Sequence, residues 1–243
     1  MSPEKEAPLL AVEALEKRFS GFRALDGVSF EVRPGEILGL VGPNGSGKTT
    51  CINVITGLYR PDGGKVTFEG HPINGLPSHR LARLGVNRTF QVPRPFPSLT
   101  VRENVAVAAY HGRRAGGAEI ETLLLSLELD AYADKPAADL NSAQQKMLDL
   151  ARALATGPRL LCVDELAAGL SRTELERVAL RLRAFAGSGI ALLVVEHLMG
   201  FIGEVTDRVV VLNAGKIIFE GTLAEAIRDR RVVEVFLGTE HAV

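Results

Sequence analysis

The sequence predicts an α/β fold, because short apolar runs alternate with helical patterns. Apolar runs over residues 37–41, 160–163 and 190–195 have the length and composition of strands that are buried on both faces of a sheet. Helical patterns fill residues 148–155 and 171–186. This alternation is typical of a doubly wound sheet covered by helices.

Two smaller parts are predicted beside this core. Residues 10–14, 24–32 and 65–69 resemble strands separated by glycine-containing turns, which favours an antiparallel β subdomain. Residues 92–150 begin with closely spaced prolines and continue with helical patterns, so we interpret them as a small inserted helical subdomain within a single domain of residues 9–240. Capping-box signatures mark three helix starts, at Thr100 with Glu103, Ser171 with Glu174, and Thr222 with Glu225.

A glycine-rich loop with the spacing G-x-x-x-x-G-K-T follows residues 37–41 directly and precedes a predicted helix of residues 48–58. Its glycines let successive backbone N–H groups turn inward, and the start of the helix directs its positive end toward the same anion. Lys48 adds a fixed charge and Thr49 a Mg²⁺ ligand. The loop therefore predicts a nucleotide-binding protein. The residues expected to contact the nucleotide are Gly42, Pro43, Asn44, Gly45, Ser46, Gly47, Lys48, Thr49 and Thr50.

Composition excludes several classes of protein. The 243-residue chain is 46% hydrophobic and carries a formal net charge of −1 with dispersed Lys and Arg, so nucleic acid is not an expected partner. Cys51 and Cys162 are expected to be packed thiols in a reducing compartment. Because every apolar run is too short to cross a bilayer, we expect a cytoplasmic protein.

Two carboxylates end the run at residues 160–163. Asp164 is placed to hold Mg²⁺ through water, and Glu165 to polarise an attacking water molecule. An acidic pair after a strand is often only a solvated turn or a helix cap, but the phosphate loop upstream favours the catalytic interpretation. The chain length between the loop and this pair permits their two strands to be neighbours in the sheet.

These motifs, in this order, resemble the nucleotide-binding subunits of ATP-binding cassette (ABC) transporters across residues 10–238. The family's glutamine loop corresponds to Gln91 in Arg-Thr-Phe-Gln, at the end of a predicted strand of residues 86–90. Its switch histidine corresponds to His197 in Val-Glu-His. Its adenine-stacking aromatic corresponds to Phe19, with Phe22 as the alternative.

The resemblance implies a role for each matched residue, beside a plain structural one. A histidine after a strand is usually structural, a glutamine there can simply end the strand, and an aromatic near a turn often packs in a small cluster. The intact motif order favours function. It implies ATP and Mg²⁺ as cofactors, catalysis by Glu165, His197 and Lys48, and Mg²⁺ ligation by Thr49, Gln91 and Asp164.

The chain departs from the family at the second nucleotide-contacting motif, commonly Leu-Ser-Gly-Gly-Gln, which completes the site of a partner cassette. The nucleotide-contacting counterparts here are Asn141, Ser142, Ala143 and Gln144. Because the Ala143 Cβ restricts the positive φ that glycine can adopt, we expect its approach to the γ-phosphate to suffer. Losing one hydrogen bond to a charged group would slow hydrolysis about 10- to 100-fold.

The resemblance also implies partners. The chain is expected to be the ATPase subunit of an importer, bound at the inner face of the cell membrane through transmembrane permease subunits. A second ATP-binding subunit would complete its site, with a heterodimer favoured and a homodimer possible. Residues 21–59, 81–85 and 232–237 look like the branched-chain amino acid importers, which suggests those amino acids or related amides as cargo.

Two other functions remain open at this point. A slow ATP-binding regulatory or sensor cassette with weak ATPase activity would explain the altered second motif. A cassette that acts on DNA or ribosomes is less favoured, because such proteins usually carry paired cassettes or long additional segments in one chain.

Overall fold

The computed structural model describes residues 7–113 and 120–237 and confirms the predicted α/β fold. The described part contains ten β-strands and nine α-helices. In chain order they are β1 (Leu10–Phe19), β2 (Phe22–Val32), β3 (Ile37–Val41), α1 (Lys48–Ile55), β4 (Gly63–Phe68), β5 (His71–Pro72), α2 (Ser78–Leu84), β6 (Val86–Arg88), α3 (Val101–His111), α4 (Ile120–Ser126), α5 (Ser142–Ala155), β7 (Leu160–Asp164), α6 (Arg172–Gly187), β8 (Ala191–Val195), α7 (Met199–Val205), β9 (Arg208–Asn213), β10 (Lys216–Gly221), α8 (Leu223–Ala226) and α9 (Arg230–Leu237).

The strands form two sheets. The predicted antiparallel sheet has the order β2-β1-β4-β5. The other sheet has the order β10-β9-β3-β8-β7-β6, in which β10 is antiparallel to β9 and all other neighbours are parallel. The carboxyl ends of these parallel strands meet at one edge of the sheet, so the segments after β3, β6, β7 and β8 converge there.

The core lies on both faces of the parallel sheet. Along β3, Ile37 and Val41 join one apolar cluster while Leu38 and Leu40 join the other, on the opposite face. This alternation explains why the sequence of β3 is apolar throughout. Cys51 and Cys162 are fully buried in the second cluster, as the predicted packed thiols. Burial raises the pKa of Cys162 to about 12 and also raises that of Cys51.

The chain length permits the acidic strand to adjoin the phosphate-loop strand, but in the structure the two are not neighbours. β8 lies between β3 and β7, with Val195 paired to Leu40 on one side and to Asp164 on the other. Chain length could not decide this, because a parallel crossover can pass over a neighbouring strand. As a result, the segment that carries His197 follows the strand between the phosphate loop and the acidic pair.

Some element boundaries differ from the prediction. Helix α1 ends at Ile55 rather than residue 58, because Gly57 adopts a φ of +74°. Strand β6 ends at Arg88 rather than residue 90, so Gln91 lies in the loop beyond it. Helix α5 includes the predicted helical residues 148–155 and begins earlier, at Ser142, because Asn141 caps it. Helices α2 and α7 were not predicted.

The three predicted capping boxes are present, at Thr100, Ser171 and Thr222. Helices α3, α4 and most of α5 fall within residues 92–150, although α5 continues to Ala155. The domain limits 9–240 and 92–150 stay predictions, and residues 238–240 lie outside the described residues. Within residues 7–113 and 120–237, no helix has the length and apolarity that a bilayer crossing requires.

One buried asparagine joins the proline-containing segment to helix α3. Asn104 is fully buried; its Oδ1 accepts from the Phe96 N–H at 2.8 Å, and its Nδ2 lies 3.0–3.2 Å from the carbonyl oxygens of Phe96, Leu99 and Thr100. These contacts satisfy backbone groups that the prolines leave outside regular structure. Asn104 therefore holds the end of this loop, from Phe96 to Thr100, against helix α3.

We expect Asn104→Ala to lower the free energy of unfolding by about 2–3 kcal/mol, because it leaves buried backbone groups without partners. Urea denaturation measures this. The control is Asn74→Ala, which removes two side-chain hydrogen bonds at an exposed residue, so that water more easily reaches the backbone groups that it leaves. Equal losses for the two variants would contradict the assigned role of Asn104.

Candidate functional site

The phosphate loop runs from the end of β3 to the start of α1. Gly42 has a φ of +150°, and a Cβ there would lie 2.1 Å from the Leu212 carbonyl oxygen of β9, so only glycine fits. Gly47 caps α1 with a φ of +109°. Lys48 is buried, and its Nζ donates to the Gly42 and Pro43 carbonyl oxygens at 2.8 Å each. Its ammonium therefore lies inside the loop.

Burial lowers the pKa of Lys48, while the carboxylates of Glu165 and Asp164 raise it. The two acidic residues and the lysine thus share one electrostatic environment although their strands are not adjacent. Such a fixed cation at the start of a helix is suited to bind an anion.

At the end of β7, Asp164 forms a buried ion pair that the sequence did not predict. Its Oδ2 lies 3.0 Å from Arg88 Nη2, and the two side chains are 2% and 8% exposed. Burial raises the pKa of Asp164, and the Arg88 guanidinium opposes that rise. The Asp164 Oδ1 is buried without a hydrogen-bond partner among the described residues. The sequence signal that could have indicated this ion pair was a charged residue, Arg88, inside a predicted strand.

Glu165 follows directly and leaves the sheet. It adopts a φ of +47°, and its N–H donates to the Val195 carbonyl oxygen at 2.9 Å. Its Oε2 accepts a hydrogen bond from Gln91 Nε2. The structure therefore brings together the two residues that the sequence separates by 74 positions.

A cleft of about 280 Å³ joins the loop, Glu165 and the two candidate aromatic residues. Its lining residues are Phe19, Phe22, Ala24, Asn44, Gly45, Gly47, Lys48, Thr49, Thr50 and Glu165. Phe19 packs edge-on against Tyr59 at 5.3 Å between ring centroids, whereas Phe22 is 63% exposed. Because both rings line the cleft, the choice between them as the adenine-stacking residue stays open.

His197 is exposed just beyond β8, and the preceding Glu196 is fully buried. The Glu196 Oε1 accepts from the Ala167 N–H at 2.7 Å, while its Oε2 has no partner among the described residues. Burial raises the pKa of Glu196, and the Ala167 hydrogen bond and His197 oppose the rise. Sequence reasoning missed Glu196, although a charge directly after an apolar run was visible.

The predicted second motif lies apart from this cleft. Asn141 and Gln144 form a capping box, in which Asn141 Oδ1 accepts from the Gln144 N–H at 2.9 Å and Gln144 Oε1 from the Asn141 N–H at 3.0 Å. Ser142 and Ala143 occupy the first turn of α5. With Asn141 and Gln144, Ala143 lines a separate cavity of about 180 Å³.

This geometry corrects the argument about Ala143. Positive φ values occur at six non-glycine residues of the described chain, and Ala143 is not among them. A helical backbone accepts alanine without strain. The physical difference from glycine at this position is therefore the added bulk of the Cβ, not a forbidden backbone conformation.

We expect Arg88→Met to lower the free energy of unfolding by about 3–5 kcal/mol, because it leaves the buried Asp164 carboxylate without its counter-ion. Arg88→Lys keeps the charge and is expected to lose less. Chemical denaturation measures both variants. As control, Arg172→Met breaks a solvent-exposed ion pair with Glu176, for which we expect less than about 1 kcal/mol. A loss for Arg88→Met no larger than this control would contradict the role of the pair.

Comparison with known proteins agrees with this geometry. The family model described as ABC transporter matches residues 25–168. The high-affinity branched-chain amino acid transport ATP-binding protein BraF of Pseudomonas aeruginosa is 37% identical over 95% of this chain and 98% of its own. The probable branched-chain amino acid transport ATP-binding protein LivG of Archaeoglobus fulgidus is 36% identical over 96% of each.

Solved structures are similar as well. A nucleotide-free ATP-binding cassette from an ABC transporter has a TM-score of 0.85 and 32% identity, over 96% of this chain and 100% of its own. The ADP conformation of the cassette MJ1267 also has a TM-score of 0.85 and 32% identity, over 96% and 99%. The phosphate loop and Glu165 line one cleft, and Gln91 is hydrogen-bonded to Glu165. With the matches above, the chain belongs to the ATP-binding subunits of the ABC transporter family, which are ATPases.

Proposed function

We propose that this chain hydrolyses ATP at the cleft between the phosphate loop and Glu165, and that this drives the import of branched-chain amino acids or related amides. The observation that carries the proposal is the Gln91–Glu165 hydrogen bond, made beside the buried Lys48. The names of the relatives from Pseudomonas aeruginosa and Archaeoglobus fulgidus support the transported substrate.

ATP would bind with its phosphates against the loop of residues 42–47 and the N–H groups that begin α1. Lys48 would then exchange the loop carbonyl oxygens for phosphate oxygens, which an ammonium on a flexible stem can reach. The adenine would stack on Phe19 or Phe22, since both rings line the same cleft.

The residues present fit a Mg²⁺ ion that is shared with the nucleotide. The Asp164 Oδ1 and the Ser46 Oγ are buried polar atoms without partners among the described residues. No cluster of three or more His, Cys, Asp or Glu that could hold a metal occurs in the described part of the chain. Mg²⁺ commonly takes one or two carboxylates plus substrate phosphates, and we assign Thr49, Gln91 and Asp164 to it. When bound, it neutralises charge on the phosphates.

Hydrolysis needs a positioned water molecule and a group that accepts its proton. Glu165 is the proposed base, and the Gln91 amide orients its carboxylate through their hydrogen bond. His197, at the end of the strand between the loop and Glu165, is the proposed contact for the γ-phosphate. Together with Lys48, these residues place the proposed chemistry at the carboxyl edge of the sheet.

We expect Glu165→Gln to lower the rate of ATP hydrolysis at least 100-fold, because an amide cannot accept the proton, while the affinity for ATP stays within about twofold. A phosphate-release assay and a fluorescent ATP analogue measure the two quantities. Glu13→Gln, exposed on the antiparallel sheet, is the control and is expected to keep the normal rate. Near-normal hydrolysis by Glu165→Gln would overturn the assignment.

The second motif points to a partner cassette. Asn141–Ala143 lie at the start of α5, outside the cleft formed by this chain's own loop. A dimeric solved structure of the cassette MJ0796, with ADP and Pi, shares the fold at a TM-score of 0.79 and 25% identity, over 88% of this chain and 98% of its own. We therefore propose a dimer of cassettes in which each chain completes the other's site.

A heterodimer accounts best for the altered motif. ATP on this chain would meet the second motif of the partner, whereas ATP on the partner would meet Asn141, Ser142 and Ala143. The Cβ atoms at 142 and 143 would hold a phosphate away from the helix N–H groups, and Asn141 Oδ1 already accepts the capping hydrogen bond from the Gln144 N–H. One site of the pair would then dominate turnover. If the other site did not hydrolyse ATP at all and the first did so slowly, the protein would act as a slow ATP sensor.

The proposed permease contact surrounds Gln91. Phe90, Val92 and Phe96 are exposed by 45%, 68% and 45%. Asn104 binds the backbone of Phe96, and the Phe90 N–H donates to Asp149 Oδ2. Phe90 and Leu58 also line a cavity of about 160 Å³. A membrane subunit that packs an apolar cytoplasmic helix there would sense the loop of Gln91 and hold this chain at the inner face of the membrane.

We expect the triple variant Asn141→Ser, Ser142→Gly, Ala143→Gly to hydrolyse ATP about 10- to 100-fold faster than the natural chain when each is assayed alone. The added glycines let the helix N–H groups approach the phosphate. A mixed dimer of the natural chain with a Leu-Ser-Gly-Gly-Gln cassette should also be faster than the natural chain alone. Equal rates in all three assays would contradict the heterodimer proposal.

A further inference from the structure

A buried lysine on α5 holds the turn that follows the proposed base. The Lys146 side chain is 8% exposed, and its Nζ donates to the Glu165 carbonyl oxygen at 3.3 Å, to that of Leu166 at 3.1 Å, and to that of Ala168. Its three N–H donors thus meet three carbonyl oxygens from one short segment.

This arrangement differs from an ordinary ion pair. Among the described residues, the hydrogen-bond acceptors of the Lys146 Nζ are all backbone carbonyl oxygens, and none is a carboxylate. Burial lowers the pKa of Lys146, while the more distant carboxylates of Glu196 and Glu165 raise it. Backbone carbonyl dipoles therefore supply the close contacts of this charge, and those carbonyls converge on one point only when the turn is folded as observed.

The turn is held from its other side as well. Glu196 accepts from the Ala167 N–H at 2.7 Å, and the Glu165 N–H donates to the Val195 carbonyl oxygen. Glu165 itself adopts a positive φ, which a non-glycine residue keeps only where its surroundings enforce it. Lys146 on α5 and Glu196 just after β8 hold the turn in this conformation through their hydrogen bonds.

Lys146 also joins two parts of the proposed mechanism. It lies two residues after Gln144, in the helix whose first turn is the second motif, and it contacts the turn that carries Glu165. The Lys146 side chain therefore links the first helical turn after the second motif to the backbone of Glu165. The Gln91 contact acts on the Glu165 carboxylate, whereas Lys146 acts on its backbone.

We infer that Lys146 is a positioning residue for ATP hydrolysis, which holds Glu165 in its working geometry and couples it to the second motif of the same chain. This inference rests on the proposed role of Glu165. It assigns to Lys146 no contact with ATP and no part in proton transfer.

The test uses the full chain with Mg²⁺ and ATP, and compares Lys146→Met, Lys146→Arg and Glu165→Gln. We expect Lys146→Met to lower kcat about 10-fold or more, while KM and the affinity for a fluorescent ATP analogue stay within twofold. Lys146→Arg keeps a charged donor and should recover most of the lost rate. Lys135→Met, at an exposed lysine near Tyr132, is the matched control.

The outcomes separate the two claims. If Glu165→Gln hydrolyses normally, the proposed function fails. If Glu165→Gln is inactive but Lys146→Met keeps its kcat within twofold, only the role of Lys146 fails. A parallel loss of ATP affinity and kcat, without recovery in Lys146→Arg, would make Lys146 a purely structural residue and also overturn the inference. If Lys146→Met does not fold, Lys146→Gln replaces it. We then expect kcat to fall about threefold, and an unchanged kcat would overturn the role of Lys146.

Discussion

The ion pair between Arg88 and Asp164 sets the relative position of the two segments on which the proposed site depends. Arg88 ends β6 and Asp164 ends β7, so their contact aligns the carboxyl ends of neighbouring strands. Gln91 lies three residues beyond the first and Glu165 one residue beyond the second. The amide–carboxylate contact between them is possible because the strand ends are held in register. A buried charge pair contributes little net stability, but it strongly penalises arrangements that separate its members.

Around this pair, several elements satisfy the backbone where the chain leaves the sheet. The turn that begins at Glu165 has no regular secondary structure, yet its N–H and carbonyl groups form hydrogen bonds with Val195, Glu196 and Lys146. The first two come from the end of β8 and the third from α5. A buried polar group without a partner costs about 1–3 kcal/mol, so these hydrogen bonds stabilise the observed conformation of the turn.

In the proposed dimer, the phosphate loop of one chain and the second motif of the other chain act on the same ATP. The loop and Glu165 line one cleft, with Gln91 hydrogen-bonded to Glu165, whereas Asn141 and Ala143 line a separate cavity. A change in the second motif therefore leaves the chain's own cleft intact. This separation explains how a cassette can retain its binding residues for nucleotide and still differ in the surface that it offers to a partner.

The sequence alone determined the features that depend on neighbours along the chain. The phosphate loop could be predicted because each of its glycines meets a local backbone requirement. The capping boxes at Thr100, Ser171 and Thr222 could be predicted because their partners lie three residues away. The apolar runs predicted strands buried on both faces, and the order of the motifs indicated the family.

Only the tertiary structure decided which distant groups meet. The place of β8 between β3 and β7, the pairing of Arg88 with Asp164 and the convergence of Lys146 on three carbonyl oxygens join residues that are 19 or more positions apart. A local sequence pattern does not predict such contacts, because the free energy of a buried charge depends on the groups that the whole fold places around it.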